Sequence, residues 1–142
     1  MYTLEEVRKY CVKCKKCRLH ENRTNVVFGE GNEDANLMFV GEGPGYNEDM
    51  QGIPFVGKAG QLLDRMIRAI ELTRKDIYIA NIVKCRPPNN RNPLEDESEV
   101  CIEYLRWQVK LIKPKIIVCL GAVAARNLIR PDFSISRERG IW

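Results

Sequence analysis

Three short apolar runs separated by amphipathic stretches organise the chain. Leu37–Val40 (LMFV) ends at glycines and reads as a buried strand. Asp76–Val83 (DIYIANIV) is rich in β-branched residues, and Lys115–Leu120 (KIIVCL), bounded by Pro114 and Gly121, reads as a third strand. Between the first two, Leu62, Leu63, Met66, Ile67 and Ile70 recur at helical spacing within Gly60–Leu72. Leu94–Ile112 predicts a longer helix, with Glu95, Asp96 and Glu97 in its first turn, where the helix dipole favours negative charge. Ala122–Ile129 restarts a helix after the third strand. Met1–Tyr10 predicts a short amphipathic helix with Thr3 as N-cap and Glu6 completing a capping box. The tail FSISRERG reads as a strand or hairpin arm.

Strands alternating with helices imply an α/β fold: three layers, αβα, with a central parallel sheet covered on both faces. Three strands are visible, and a sheet of this kind leads us to expect a further one that this chain lacks. No repeat, linker or low-complexity tract divides residues 1–142, so a single domain is expected. In such sheets ligands bind at the carboxyl ends of the strands. The informative loops are therefore Gly41–Gly57 and Asn81–Pro93.

Composition narrows the setting. The 142 residues are 44% hydrophobic and 30% charged, ordinary for a soluble globular protein. No apolar run approaches the ~20 residues of a membrane helix. The N-terminus lacks the apolar core of a secretion signal, so a cytoplasmic location is expected. A net charge of +4 permits a polyanionic partner without requiring one.

Six cysteines change the picture, because clustered cysteines in a reducing compartment more often bind metal than form disulfides. Cys11, Cys14 and Cys17 are spaced by three, so either neighbouring pair forms a C-x-x-C unit. Cys85 lies in the proline-rich loop CRPPNNRNP, and Cys101 follows on the next helix. Two local and two distant thiolates make a four-cysteine site for zinc or an iron–sulfur cluster, and spacing does not choose between 11/14 and 14/17. Cys119, inside an apolar strand, reads as a buried, inert thiol.

Other candidates sit in the two loops. G-E-G-P-G at 41–45 follows a strand directly, and its glycines permit close backbone approach to a ligand, although it fits neither the dinucleotide nor the P-loop pattern. Phe55, set among prolines and glycines, offers a stacking face or a core anchor. Asn81 ends the second strand as a turn former or as a reader of a base edge: its amide, one donor edge and one acceptor, can match the N3–H and O4 of uracil, and the reverse pattern of cytosine if it flips. Lys84, Arg86 and Arg91 bracket Cys85 and read as a basic edge for phosphates.

Together these segments resemble one family. C-x-x-C-R-L-H at 14–20, V-G-E-G-P-G-x-x-E-D at 40–49, G-I-P-F-V-G-K-A-G-Q-L-L-D at 52–64, Y-I-A-N-I-V-K-C-R-P-P-N-N-R at 78–91 and the later Cys101 are similar to the family 4, iron–sulfur uracil-DNA glycosylases. The resemblance implies a [4Fe–4S] cluster on Cys14, Cys17, Cys85 and Cys101, structural rather than redox-active, with Cys11 a spare thiol. It implies that Gly41, Glu42 and Gly43 line the uracil and water side, and that Phe55 stacks on the flipped base. Asn81 would read the base's edge, and Glu48 would wall off C5 against thymine's methyl group. Glu42 is the nearest carboxylate for positioning water, with Gly43 where classical relatives carry an aspartate. The implied activity is hydrolysis of the N-glycosidic bond of uracil in single- or double-stranded DNA during base excision repair, by a monomer.

One departure matters. Family members continue into a strand and an H-P-S loop whose histidine donates to the uracil oxygen. The single histidine here, His20, matches R-L-H beside the cysteines instead. The expectation is a C-terminally truncated form with little or no glycosylase activity. Two other readings stay open: a non-catalytic iron–sulfur or zinc nucleic-acid-binding module, and an electron-transfer protein.

Overall fold

The apolar runs become three of the four strands of one sheet in the computed structural model, which describes residues 2–142. In chain order the strands are β1 (Glu30–Gly31), β2 (Leu37–Gly41), β3 (Tyr78–Asn81) and β4 (Ile116–Cys119). They lie in the order β1-β3-β2-β4. β2 pairs parallel with both β3 and β4, as the alternating pattern predicts. The all-parallel, three-stranded expectation needs correcting at one edge, where β1 pairs antiparallel with β3. β1 is two exposed residues with no apolar period to betray it. Gly31 makes it possible: its φ is +137°, and a Cβ there would stand 2.0 Å from Ile77 O.

The helices are α1 (Leu4–Val12), α2 (Tyr46–Gln51), α3 (Lys58–Ala69), α4 (Glu95–Ile112), α5 (Ala122–Leu128) and α6 (Ile135–Glu138). Met1, part of the first predicted helix, lies outside the described residues. The predicted capping box forms, with Thr3 N donating to Glu6 Oε2 at 2.7 Å and Glu6 N to Thr3 Oγ1 at 3.2 Å. The tail is a correction: FSISRERG contains helix α6 rather than a strand. Its apolar–polar alternation is too short to pair, whereas Glu138 reaches back to accept from Ser134 N at 2.8 Å and closes a helical turn.

Side chains alternate across the strands and build two cores. Met38, Val40, Tyr78 and Ala80 face α1, α4 and α5, together with Val7, Ile102, Leu105 and Ala124. Phe39, Ile77 and Ile79 face the other way, onto Leu63 and Ile67 of α3. This is the expected three-layer α/β arrangement. Only part of the α3 apolar set is buried: Leu62, Met66 and Ile70 stay exposed because α3 covers the sheet with a narrow stripe.

The two sheet edges differ. β4 is longer and apolar, and Ile116 and Ile117 are 41% and 38% exposed beside a groove of about 740 Å³ that Leu128, Phe133 and Ile141 also line. Cys119 is half-buried on this edge rather than enclosed in the core, although burial still pushes its thiol pKa up. No helix among the described residues is long and apolar enough to cross a membrane.

Candidate functional site

β2 and β3 end in register, with Gly41 opposite Asn81. Their pairing continues into the loops through Ile82 N to Gly41 O at 2.9 Å and Val83 N to Glu42 O at 3.1 Å. Two of the predicted site loops therefore leave the sheet side by side. Asn81 is 2% exposed, and its Oδ1 is the one buried side-chain polar atom without a hydrogen-bond partner among the described residues. Buried polar atoms are nearly always paired, so an orphan at a strand's carboxyl end marks a place for a donor.

Phe55 stands against the same spot. A Cβ on Gly41 would lie 2.5 Å from Phe55 Cζ and 2.7 Å from Asn81 Oδ1. Glycine is required there because ring, amide and backbone converge. Gly43 is required for a similar reason, since its Cβ would meet Val83 Cγ2 at 2.6 Å. Half-buried, Phe55 also packs on the α3-side core, so it anchors the loop, with the Cε2–Cζ edge of its ring against Gly41. Glu42 lies half-buried beside Gly41, and burial raises its carboxyl pKa above the ordinary 4.5.

Glu48, also predicted for this side, has its carboxylate fully engaged. Oε1 accepts from Gly45 N at 3.0 Å, and Oε2 from Val56 N at 2.9 Å and Gly57 N at 2.8 Å. The neighbouring Asp49, which sequence reasoning did not single out, is buried and accepts from Thr24 N at 2.9 Å and Asn25 N at 3.1 Å. The E-D pair of the glycine motif thus fastens α2 to two separate loops. Acidic residues just after a glycine turn were the available signal.

A second centre lies on the α4 side of the sheet. Cys14, Cys17, Cys85 and Cys101 line one pocket, and Cys11 lines it too. The structure brings the predicted four together without separating Cys11 from them. Around the sulfurs, Lys84 N donates to Cys101 Sγ at 3.2 Å. Arg23 Nη1 donates to Cys85 Sγ at 3.4 Å and to Cys14 O at 2.6 Å. Burial pushes the Cys101 thiol up to about 12 and raises those of Cys85 and Cys11. The cysteines share a wall; no set of three or more ligating side chains among the described residues is drawn into metal geometry.

The donor chemistry nevertheless fits an anionic, thiolate-ligated group. Backbone and guanidinium N–H groups already point at two sulfurs, and a buried cation stands beside them. That cation is Lys84, which corrects the basic-edge expectation. It is 1% exposed, not at the surface, with Nζ donating to Gln108 Oε1 at 2.7 Å and Asn81 O at 2.9 Å. Gln108 on α4 supplies the acceptor that draws the side chain inward. Burial lowers the Lys84 pKa to about 8. Arg91 is likewise committed, bidentate to the buried Glu97 at 2.8 and 2.9 Å, which holds the Glu97 carboxyl below its usual value. Arg86 donates from Nε to Asn90 Oδ1 at 2.7 Å and lies over the Tyr46 ring at 5.3 Å, and both it and Arg91 are half-buried. His20 belongs to the cysteine pocket, with Nδ1 2.8 Å from Cys17 O.

Comparison with known proteins gives a consistent result. A sequence model of the uracil DNA glycosylase superfamily matches residues 28–140. The type-4 uracil-DNA glycosylase of Archaeoglobus fulgidus is 49% identical over 99% of this chain and 72% of its own length. That of Thermotoga maritima is 50% identical over 99% of this chain and 76% of its own. That of Sulfurisphaera tokodaii is 55% identical over the whole of this chain and 68% of its own.

Proposed function

The chain belongs to the uracil DNA glycosylase superfamily, among its type-4 members, and from that premise we propose that it binds a uracil flipped out of DNA between Phe55 and Asn81. The observation that carries this reading is the orphaned acceptor of Asn81. Uracil offers an N3–H donor to that oxygen and an O4 acceptor to the amide's N–H. Cytosine presents an acceptor at N3 and leaves the oxygen unpaired. The ring of Phe55 supplies a stacking face, worth ~1–3 kcal/mol per base, against the few kcal/mol that flipping costs.

In the hydrolysis, water attacks the deoxyribose C1′ as the C1′–N1 bond breaks, and uracil departs as an anion. Glu42 is the carboxylate we assign to the water, with the backbone of Gly41–Gly43 beside the departing base. Charge on the uracil oxygen calls for a donor, and loss of one such donor costs ~10²–10³ in rate. The chain's single imidazole is engaged at Cys17 O. We therefore expect specific binding with slow release.

At the second centre we propose a [4Fe–4S] cluster on Cys14, Cys17, Cys85 and Cys101. The group would supply a cross-link and no chemistry to the hydrolysis. These residues tie the N-terminal segment to the proline loop and α4, while Lys84 and Arg23 offset thiolate charge.

The test measures affinity for, and uracil release from, single- and double-stranded oligonucleotides bearing one uracil. Uracil-dependent binding with slow release is expected. Equal affinity for uracil and thymine strands would overturn the base-recognition reading, and robust turnover would overturn the expectation of slow release. Binding without any release is what a non-catalytic DNA-binding module would give.

A further inference from the structure

Phe55 has a left-handed backbone, φ +55°, one of five such non-glycine residues among those described. For an aromatic side chain this conformation persists only where the surroundings impose it. Here two charged side chains impose it from opposite sides. Glu48 accepts from the N–H groups of Val56 and Gly57. Arg74, in the turn between α3 and β3, donates from Nη1 to Pro54 O at 2.8 Å and from Nη2 to Phe55 O. Four consecutive residues, Pro54–Gly57, thus have a backbone group held by a carboxylate or a guanidinium.

Arg74 is itself oriented. Its Nε donates to Asp64 Oδ1 on α3 at 2.6 Å. Gly60, one turn earlier on α3, lets the helix come up beneath the same carbonyl; a Cβ there would lie 1.8 Å from Phe55 O. The planar fork of arginine serves two adjacent carbonyls and the carboxylate at once, which a lysine's single ammonium does not. Without the fork, Pro54 O and Phe55 O would lose these donors and nothing on that side would hold φ of Phe55 positive, freeing the ring to leave Gly41 and Asn81.

We infer that Arg74, aligned by Asp64, is a positioning residue for base binding, holding the Phe55 ring as a preformed stacking surface. The inference rests on the reading of Phe55 as the face on which uracil stacks. It makes the turn after α3, which touches no substrate, a determinant of affinity for the base.

The experiment compares Phe55→Ala, Arg74→Gln, Arg74→Lys and Asp64→Asn. The readout is affinity for a labelled single strand carrying one uracil, divided by affinity for the same strand with an abasic analogue. A loss of packing or folding lowers both affinities, whereas a displaced ring lowers only the first. The expected result is a fall in this ratio of roughly tenfold or more for Phe55→Ala and Arg74→Gln, since one base–aromatic stack is at stake. Arg74→Lys and Asp64→Asn should fall between these and the parent, with abasic affinity unchanged in the Arg74 and Asp64 variants. A retained ratio in Arg74→Gln alongside a lost one in Phe55→Ala overturns the positioning role alone. A retained ratio in Phe55→Ala overturns the stacking reading and this inference with it. Should Arg74→Gln melt below the assay temperature, the two milder variants decide: a graded loss supports the inference, and unchanged ratios overturn it.

Discussion

Replacing Asn81 by leucine should make the free protein more stable and a worse uracil binder. Leucine is close to asparagine in size and carries no polar atom. Asn81 is 2% exposed and its Oδ1 has no donor among the described residues. A buried, unpaired acceptor costs about 1–3 kcal/mol. Removing it should raise the melting temperature by ~3–10 °C in a domain of this size. Bound uracil would meanwhile lose partners for both N3–H and O4. At about 1–3 kcal/mol for each buried unpaired group, the loss sums to about 2–6 kcal/mol, or ~30- to 10⁴-fold in affinity. Thermal unfolding by circular dichroism reads the first quantity, and fluorescence anisotropy with uracil and thymine strands the second. The opposite signs make the test discriminating, because a merely damaging substitution lowers both. A melting temperature several degrees below the parent's, or unchanged uracil affinity, would refute the reasoning.

Serine at Cys14, Cys17, Cys85 or Cys101 should abolish bound iron and broad visible absorbance, whereas Cys11→Ser and Cys119→Ser should keep both; iron retained in all four of the first set would dismiss the ligand assignment. Burial lifts Glu42 above 4.5, so a rate that needs its carboxylate should fall as pH drops through a value above 4.5. Stability runs the other way: the folded state holds this proton more tightly than the unfolded chain, so the group's contribution weakens as pH rises from 4.5 through the raised value. Glu42→Gln should remove that acidic limb with most of the rate, and a limb at or below 4.5 would point to another group. Gly41→Ala should cost ~1–3 kcal/mol of stability by overpacking and weaken uracil binding, because its methyl would meet Phe55 Cζ at 2.5 Å; parental values in both assays would remove Phe55 from the site.

Periodicity was enough for β2, β3, α3 and α4, because each has a buried face long enough to leave a period in the sequence. It was blind to β1, whose two residues are both exposed, and to α2, whose YNEDMQ is polar and whose start is set by Glu48 reaching back to Gly45. That the N-terminal cysteines, Cys85 and Cys101 would come together was legible from spacing. That Cys11, Cys14 and Cys17 all share one wall was not, since this depends on how α1 lies on α4. Lys84 was misread for a similar reason. Lysine is ordinarily a surface residue, and its acceptor, Gln108, lies 24 positions away on another element. Arg74 was invisible because its partners, Pro54, Phe55 and Asp64, meet it only once α3 has packed. Asn81, Phe55 and Gly41 were readable because strand ends place their loops together whatever the details of packing.

The unequal edges of the sheet carry a consequence for assembly. At β1 the ladder stops after two residues, and Gly31 bends the backbone away from extended geometry. At β4 an apolar strand faces outward beside a groove that side chains do not fill. The two edges are therefore unequal: unpaired ladder groups lie beside an apolar face at β4, and beside two exposed residues at β1. The ends of β2 and β3, where Gly41 and Asn81 meet, each lie one strand in from an edge, β2 beside β4 and β3 beside β1.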